Sequence, residues 1–213
     1  CREIDCDYEE QDSLVYLRRG EGALNREVQA LQRLGAQAEL KKDLPLPLQT
    51  AGEVCLPGQG QFHPLKFLAT ISKGLNICAN TRVLQLMPGK AVTDRGEIRA
   101  EHIIVTTHFP MLNKHGGYFL KLYQHRSYVL ALKNAPLFEG MYVDGSGNGL
   151  SFRRWGELLL LGGGGHRTGK TGGGWKVLED KAQLFYPNAG RNDRRRNCRS
   201  RNNISKTVKR QLS

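Results

Sequence analysis

The spacing of apolar residues divides the chain into helical, strand-like and polar stretches. Leu24, Val28, Leu31 and Leu34 recur at helical intervals and Gly35 follows as a stop, which predicts a helix here. The short apolar run before it, Leu14 to Leu17, is suited to pairing in a sheet. In LPLPLQTAG, Pro45 and Pro47 remove donors and fix the backbone, so Leu44 to Gly52 reads as an extended connector between lobes. GEVCLP reads as a strand. In QFHPLKFLATISKG, Pro64 takes the first helical position, Leu65, Leu68 and Ile71 share a face, and Gly74 closes the helix. His63, directly before that proline, reads as a helix-start residue rather than a catalytic base.

Beyond Gly74 the pattern turns to strands. LNICANTRVLQLM, KAVTD and GEIRA are short and are broken at Pro88-Gly89 and Arg95-Gly96. Ile103 to Thr107 is apolar and β-branched, which predicts a strand buried on both faces. A helix, a small meander and a buried strand in that order resemble the latter part of a dinucleotide-binding domain. YFLKLYQHRSYVLALKN, GMYVDG, GLSFRRWG and ELLLLGGGG then alternate with turn residues, as in an antiparallel sheet. Alternation places Ser127, Val129 and Ala131 on one face and Arg126, Tyr128, Leu130 and Leu132 on the other. Val177, Lys181 and Leu184 predict a short amphipathic helix in WKVLEDKAQLFYP.

Gly164 to Thr171 matches the phosphate-loop pattern G-x-x-x-x-G-K-[ST], with an apolar strand, Leu158 to Leu161, upstream. The downstream half is wrong for that function. Gly172, Gly173 and Gly174 stand where the anion-binding helix should open, and each glycine in a helix costs roughly 1 kcal/mol relative to alanine. A nucleotide-triphosphate binder is therefore a minor alternative.

Charge changes the picture less than its total suggests. Of the net +12, the segment 190–213 holds nine basic residues and one acid, Asp193, for a local charge of +8, which leaves +4 for the rest. Ile204, Val208 and Leu212 are the only large apolar residues of that segment, so it is expected to be a disordered tail. It offers electrostatic contact with nucleic acid or another acidic surface, but no aromatic residue for base stacking. A non-enzymatic interaction protein using this tail is the first alternative, ahead of the nucleotide binder. The five cysteines are scattered, without C-x-x-C or His/Cys metal spacing, which argues for a reducing, cytoplasmic setting and no bound metal. No run approaches the roughly 18 apolar residues of a membrane helix.

QFHPLKFLA, GEIRAEHIIVTTHFP, HRSYVLAL, GLSFRRWGELLLLGGGGHRTGK and GGGW, in this order, resemble FAD-dependent oxidoreductases of the D-amino-acid oxidase type, which include glycine oxidase. The motifs extend to Tyr186-Pro187. The resemblance implies a mixed α/β (α+β) fold: a partial FAD-binding Rossmann-like lobe and a substrate lobe with a mixed, largely antiparallel sheet. The expected division is 1–51 in the substrate lobe, 52–112 in the FAD lobe, 113–187 in the substrate-lobe sheet and 188–213 in the tail. The implied chemistry is hydride transfer from a carbon–nitrogen bond of an amine or amino acid to the flavin. By this resemblance the glycine turn belongs to the substrate sheet, beside the flavin, and the phosphate-loop match is accidental.

The same resemblance implies site residues. Val83, Thr106 and Thr107 would contact FAD. His166 and Arg167, in the glycine turn, would be the catalytic candidates on the isoalloxazine side. Arg126 and Arg153 would clamp a substrate carboxylate through paired donors, with Tyr128 and Tyr142 adding hydroxyls. The plain alternatives are surface ion pairs for the arginines and core packing for the tyrosines. The strand with its G-x-G-x-x-G turn and the ribose-binding acid of such proteins are not in the sequence. This predicts an internal piece of a flavoenzyme, weakly active or inactive, whose arginine-rich end is unrelated to the family.

Overall fold

A computed structural model of the 213-residue chain describes residues 3–107, 122–147 and 149–191. Of the predicted tail, residues 188–191 are described and end in a short strand, while residues 192–213 and the segment 108–121 leading toward HRSYVLAL lie outside the described residues. The chain divides into two units, one made of residues 1–63 and 124–213 and the other of residues 64–123. The fold is mixed α/β, with a mixed main sheet in the first unit and a small antiparallel sheet in the second.

The first unit contains strand β1 (Glu9–Leu17), helix α1 (Glu21–Arg33), β2 (Glu39–Lys41) and β3 (Gly52–Gln61). The second unit holds α2 (Pro64–Ile71), β4 (Val83–Met87), β5 (Lys90–Thr93) and β6 (Gly96–Arg99). The chain then returns to the first unit with β7 (His125–Lys133), β8 (Met141–Asp144), β9 (Ser151–Trp155), β10 (Leu158–Arg167), α3 (Trp175–Phe185) and β11 (Gly190–Arg191). The main sheet has eight strands in the order β11-β7-β10-β9-β8-β1-β3-β2. All its pairings are antiparallel except β1 with β8.

Alternation along the strands assigns each side chain a face. Register aligns Leu130, Leu161, Phe152, Tyr142, Leu14 and Cys55 across six strands. All six are buried and belong to the main hydrophobic core. Helix α3 closes this face through Leu178 and Ala182, with Trp175 and Phe185 packed beside them. The predicted stripe was offset by one position: Val177 and Leu184 are exposed. Both registers are apolar at helical spacing, and contact with the sheet selects the one that includes the larger Trp175 and Phe185.

Helix α1 covers the opposite face at the other end of the sheet, where Leu24 and Val28 meet Ala38 and Val54. It starts after Gly20 in the left-handed region and stops at Leu34, which is exposed rather than part of the buried stripe. Leu44, Leu46 and Leu48 do not link two units. They alternate with the prolines, pack on the main core, and join β2 to β3 within the first unit. Strand β3 also belongs to the first unit, because it pairs with both β1 and β2. The unit boundary thus falls at residue 63 rather than 51.

In the second unit α2 begins at Pro64 as expected, but Leu65, Leu68 and Ile71 are exposed. Strands β4, β5 and β6 form a three-stranded antiparallel meander with turns at Gly89 and Gly96, both at positive φ. Ile103 to Thr107 is not a strand, and Ile103, Ile104 and Val105 are exposed. A strand buried on both faces requires hydrogen-bonded neighbours on both sides, and this segment is part of neither sheet among the described residues.

Candidate functional site

The glycine-rich segment is the end of a strand. Gly162 and Gly163 pair with Val129 and Tyr128 of β7, and β10 runs on, with an irregularity in register, to His166 and Arg167. Gly174 donates its N–H to the Gly164 carbonyl at 2.8 Å. A Cβ on Gly164 would stand 2.7 Å from the Gly174 carbonyl, and one on Gly173 would overlap the Gly164 carbonyl. These glycines let two backbone segments of this chain touch, which is the close approach that glycine permits.

This geometry removes the phosphate-loop reading. Gly164 lies in an antiparallel strand, Lys170 is exposed in a turn with its N–H on the Arg167 carbonyl, and α3 starts only at Trp175. The motif lacks a helix at Lys170 to present amides to an anion.

The expected substrate residues fall on two faces of the main sheet. Tyr142 aligns with Phe152 on the core face, whereas Arg153 aligns with Met141 and Leu160 on the opposite face. Tyr128 lies on the Tyr142 side of the sheet, as its register with Gly163 and its alternation with Leu130 require. Burial pushes the Tyr142 phenol up to about 12, with the Glu53 carboxylate adding to the effect. Tyr142 packs edge-on to Phe138 at 5.3 Å between ring centroids. Both tyrosines are therefore core residues. Arg126, exposed and paired in register with His166, shares their side of the sheet.

Arg153 differs from the other candidates. It is half-buried between Met141 and Leu160, and desolvation pulls its guanidinium below the ordinary arginine value. Among the described residues it has no ion-pair partner, whereas neighbouring Arg154 reaches Glu139 at 3.5 Å. Around it Val129 and Val143 are exposed on the same face. The arrangement offers a planar cation on an apolar surface, suited to a carboxylate.

His166 stacks on Tyr128 with centroids 5.8 Å apart and planes 15° apart, and Tyr128 in turn meets Trp175 edge-on at 5.2 Å. Its buried Nδ1 has no hydrogen-bond partner among the described residues. Arg167 is exposed and pairs in register with His125. In the second unit, Val83 is half-buried at the start of β4, while Thr106 and Thr107 are exposed outside any strand.

Sequence reasoning missed a cavity of about 500 Å³ lined by Glu10, Asp12, Lys41, Asp43, Glu53 and Glu139. Glu53 is 2% exposed, and burial raises its carboxyl from 4.5 to about 7 against the opposing pull of Lys41. Its signal was present in GEVCLP: an acid two residues from Cys55 in a strand shares that residue's buried face.

An FAD-dependent fold needs amides for the diphosphate and a surface for the flavin and substrate. The described residues do not form the first. The glycines of the 162–174 segment accommodate this chain's own backbone, and Thr106 and Thr107 lie outside any strand. They do form an open sheet face with an arginine.

A family model described as DAO, FAD dependent oxidoreductase, matches residues 1–204. The match reaches into the arginine-rich end, which therefore is not unrelated to the family. Among curated proteins, a Bacillus subtilis (strain 168) protein named for a Rieske 2Fe-2S iron-sulfur protein, YhfW, is 32% identical over 184 residues, covering 79% of this chain and 36% of that protein. Among solved structures, glycine oxidase of Geobacillus kaustophilus superposes with a TM-score of 0.64 at 18% identity, covering 87% of this chain and 56% of that one. L-proline dehydrogenase of P. horikoshii gives 0.63 at 12% identity, with 87% and 57% covered. The chain thus spans about a third of that curated relative and a little over half of these structures. No described helix is long and apolar enough to cross a membrane, and no described group of three or more His, Cys, Asp or Glu residues is placed to hold a metal ion. With the match running from the first residue to 204 and the mixed sheet superposing on such folds, the chain belongs to the DAO family of FAD-dependent oxidoreductases.

Proposed function

We propose that this chain forms the substrate-facing sheet of an FAD-dependent oxidoreductase acting on the carbon–nitrogen bond of an amine that also carries a carboxylate. The observation that carries this reading is Arg153: a desolvated guanidinium without a counter-ion among the described residues, on an open apolar face. A partly desolvated charge without a counter-ion among the described residues gains from an incoming anion. The substrate's amino end would then be set by the apolar surface formed by Val129, Val143 and Leu160. On this reading the 64–123 unit is the part of the chain that belongs to the FAD-binding lobe, and Val83, Thr106 and Thr107 are its candidate contacts. His166 and Arg167 keep a supporting role at the glycine turn.

The chain by itself is proposed to bind carboxylates with little or no turnover, since its described residues provide no diphosphate cradle. The cysteine pattern supports a reducing, cytoplasmic setting, and among the described residues Cys6, Cys55 and Cys78 form no disulfide. The test is calorimetric titration of the chain with benzoate, alongside a visible absorption scan. Saturable benzoate binding that Arg153→Met abolishes and Arg153→Lys weakens supports the reading. Binding that is indifferent to Arg153 refutes it.

A further inference from the structure

The cavity beside β1, β2 and β3 serves no purpose in the family chemistry outlined above. It lies on the other side of the sheet from Arg153: Glu53 alternates with Cys55, which aligns with Leu14 and Tyr142 on the core face. Its lining is strongly acidic although the chain as a whole has a net charge of +12. Five carboxylates, Glu10, Asp12, Asp43, Glu53 and Glu139, face one ammonium, Lys41. Glu139 is balanced by Arg154 at 3.5 Å and also accepts from Gln11 at 3.3 Å, so three carboxylates exceed the cations present.

The second observation is independent of that cluster. Glu53 is 98% buried, at 2% exposure, yet its Oε2 has no hydrogen-bond partner among the described residues. Burying an oxygen of this kind unpaired is unfavourable, and more so if it is charged. Lys41 is its register neighbour across the strand pair but forms no ion pair with it among the described residues. Asp12 is held by the Cys55 thiol at 3.6 Å. The cavity therefore presents an unpaired acceptor at its buried end and surplus carboxylates around it.

We propose that this cavity binds a small organic cation through a primary ammonium group, which donates to Glu53 Oε2. An ammonium head carries three donors on one compact atom, so it can satisfy the buried oxygen and reach further carboxylates in the same pose. A metal ion is the poorer fit, because no three acidic or other ligating side chains converge to coordination distance among the described residues. About 500 Å³ suits a small molecule rather than a bare ion. The ligand is a bound effector and not the compound oxidised, since Arg153 faces the other way.

The test is calorimetric titration of the chain with 1,4-diaminobutane at pH 8, with 1,4-butanediol as the uncharged isostere. Saturable 1:1 binding of the diamine alone is expected. Glu53→Gln should weaken it at least about tenfold, roughly 1.4 kcal/mol. Asp43→Asn, at an exposed position that does not endanger folding, should weaken it by a smaller factor. Circular dichroism verifies that each variant is folded. Equal binding of diamine and diol, no saturable heat, or binding unchanged in both variants would overturn the proposal, as would displacement of the diamine by equimolar magnesium.

Discussion

Replacing Glu53 with glutamine removes an ionisable group from a place that water barely reaches and leaves its shape almost unchanged. In the folded chain its carboxyl titrates at about 7 rather than 4.5, mainly because burial disfavours the charged form. The sign follows from which state loses its proton first. Between pH 4.5 and 7 the unfolded chain has ionised this glutamate and the folded chain has not, so raising the pH favours unfolding. The stability associated with the neutral carboxyl is complete below pH 4.5 and is gone above about 7. At about 1.4 kcal/mol per pH unit, carrying the group from one value to the other amounts to as much as about 3 kcal/mol. Lys41 already contributes its opposing pull to the value of 7, and Asp12, Asp43, Glu139, Cys55 and Tyr142 are the other ionisable side chains around the cavity and β3. Urea unfolding of the native chain and of Glu53→Gln at several pH values between 4 and 9 isolates the effect as a difference between the two proteins. The variant should gain relative to the native chain as the pH rises, reaching up to about 3 kcal/mol near pH 8. Two profiles that stay parallel throughout would show that Glu53 titrates normally and would refute the reasoning.

Three further outcomes are expected. Gly173→Ala, at φ +62 and with its new methyl driven into the Gly164 carbonyl, should lower stability by about 2 kcal/mol or more, measured as a shift in the urea midpoint. Leu161→Ala, at a fully buried position in the centre of the main sheet, should cost about 3 kcal/mol in the same assay. Tyr16→Phe removes the hydroxyl that donates to the Leu150 carbonyl at 2.8 Å and should cost about 1 kcal/mol, with circular dichroism spectra unchanged.

What could be read from the residues alone depended on whether the signal was local. Helix α1 was legible because Leu24 and Val28 recur on one face and Gly35 stops it. The alternation in RSYVLAL assigned Leu130 and Leu132 to one face, and both are buried there. Helix α3 was legible as a helix but not in its buried face, because Val177/Leu184 and Leu178/Ala182 are equally helical in spacing and only the partner sheet decides between them. Ile103 to Thr107 carries strand chemistry but joins neither sheet among the described residues. The faces of the expected substrate residues were hidden for a related reason: whether Tyr142 and Arg153 share a face depends on the register between β8 and β9, and neither strand records it alone. Glu53 was legible in principle, since its parity with Cys55 put an acid on an apolar face. The cavity around it required β1, β2 with the residues just after it, and the turn before β8 to be brought together.

The seam between β1 and β8 also bears on how fast this chain can reach its native state. Gln11 and Glu139, which hydrogen-bond beside that seam, are 128 positions apart. The main sheet therefore cannot be completed by neighbours in sequence and must close a very long loop first, an entropic barrier that slows the kinetics. During synthesis, β1 and β3 emerge well before β8 and can pair with each other, but they wait with one edge open. That waiting edge is where premature association between nascent copies would start.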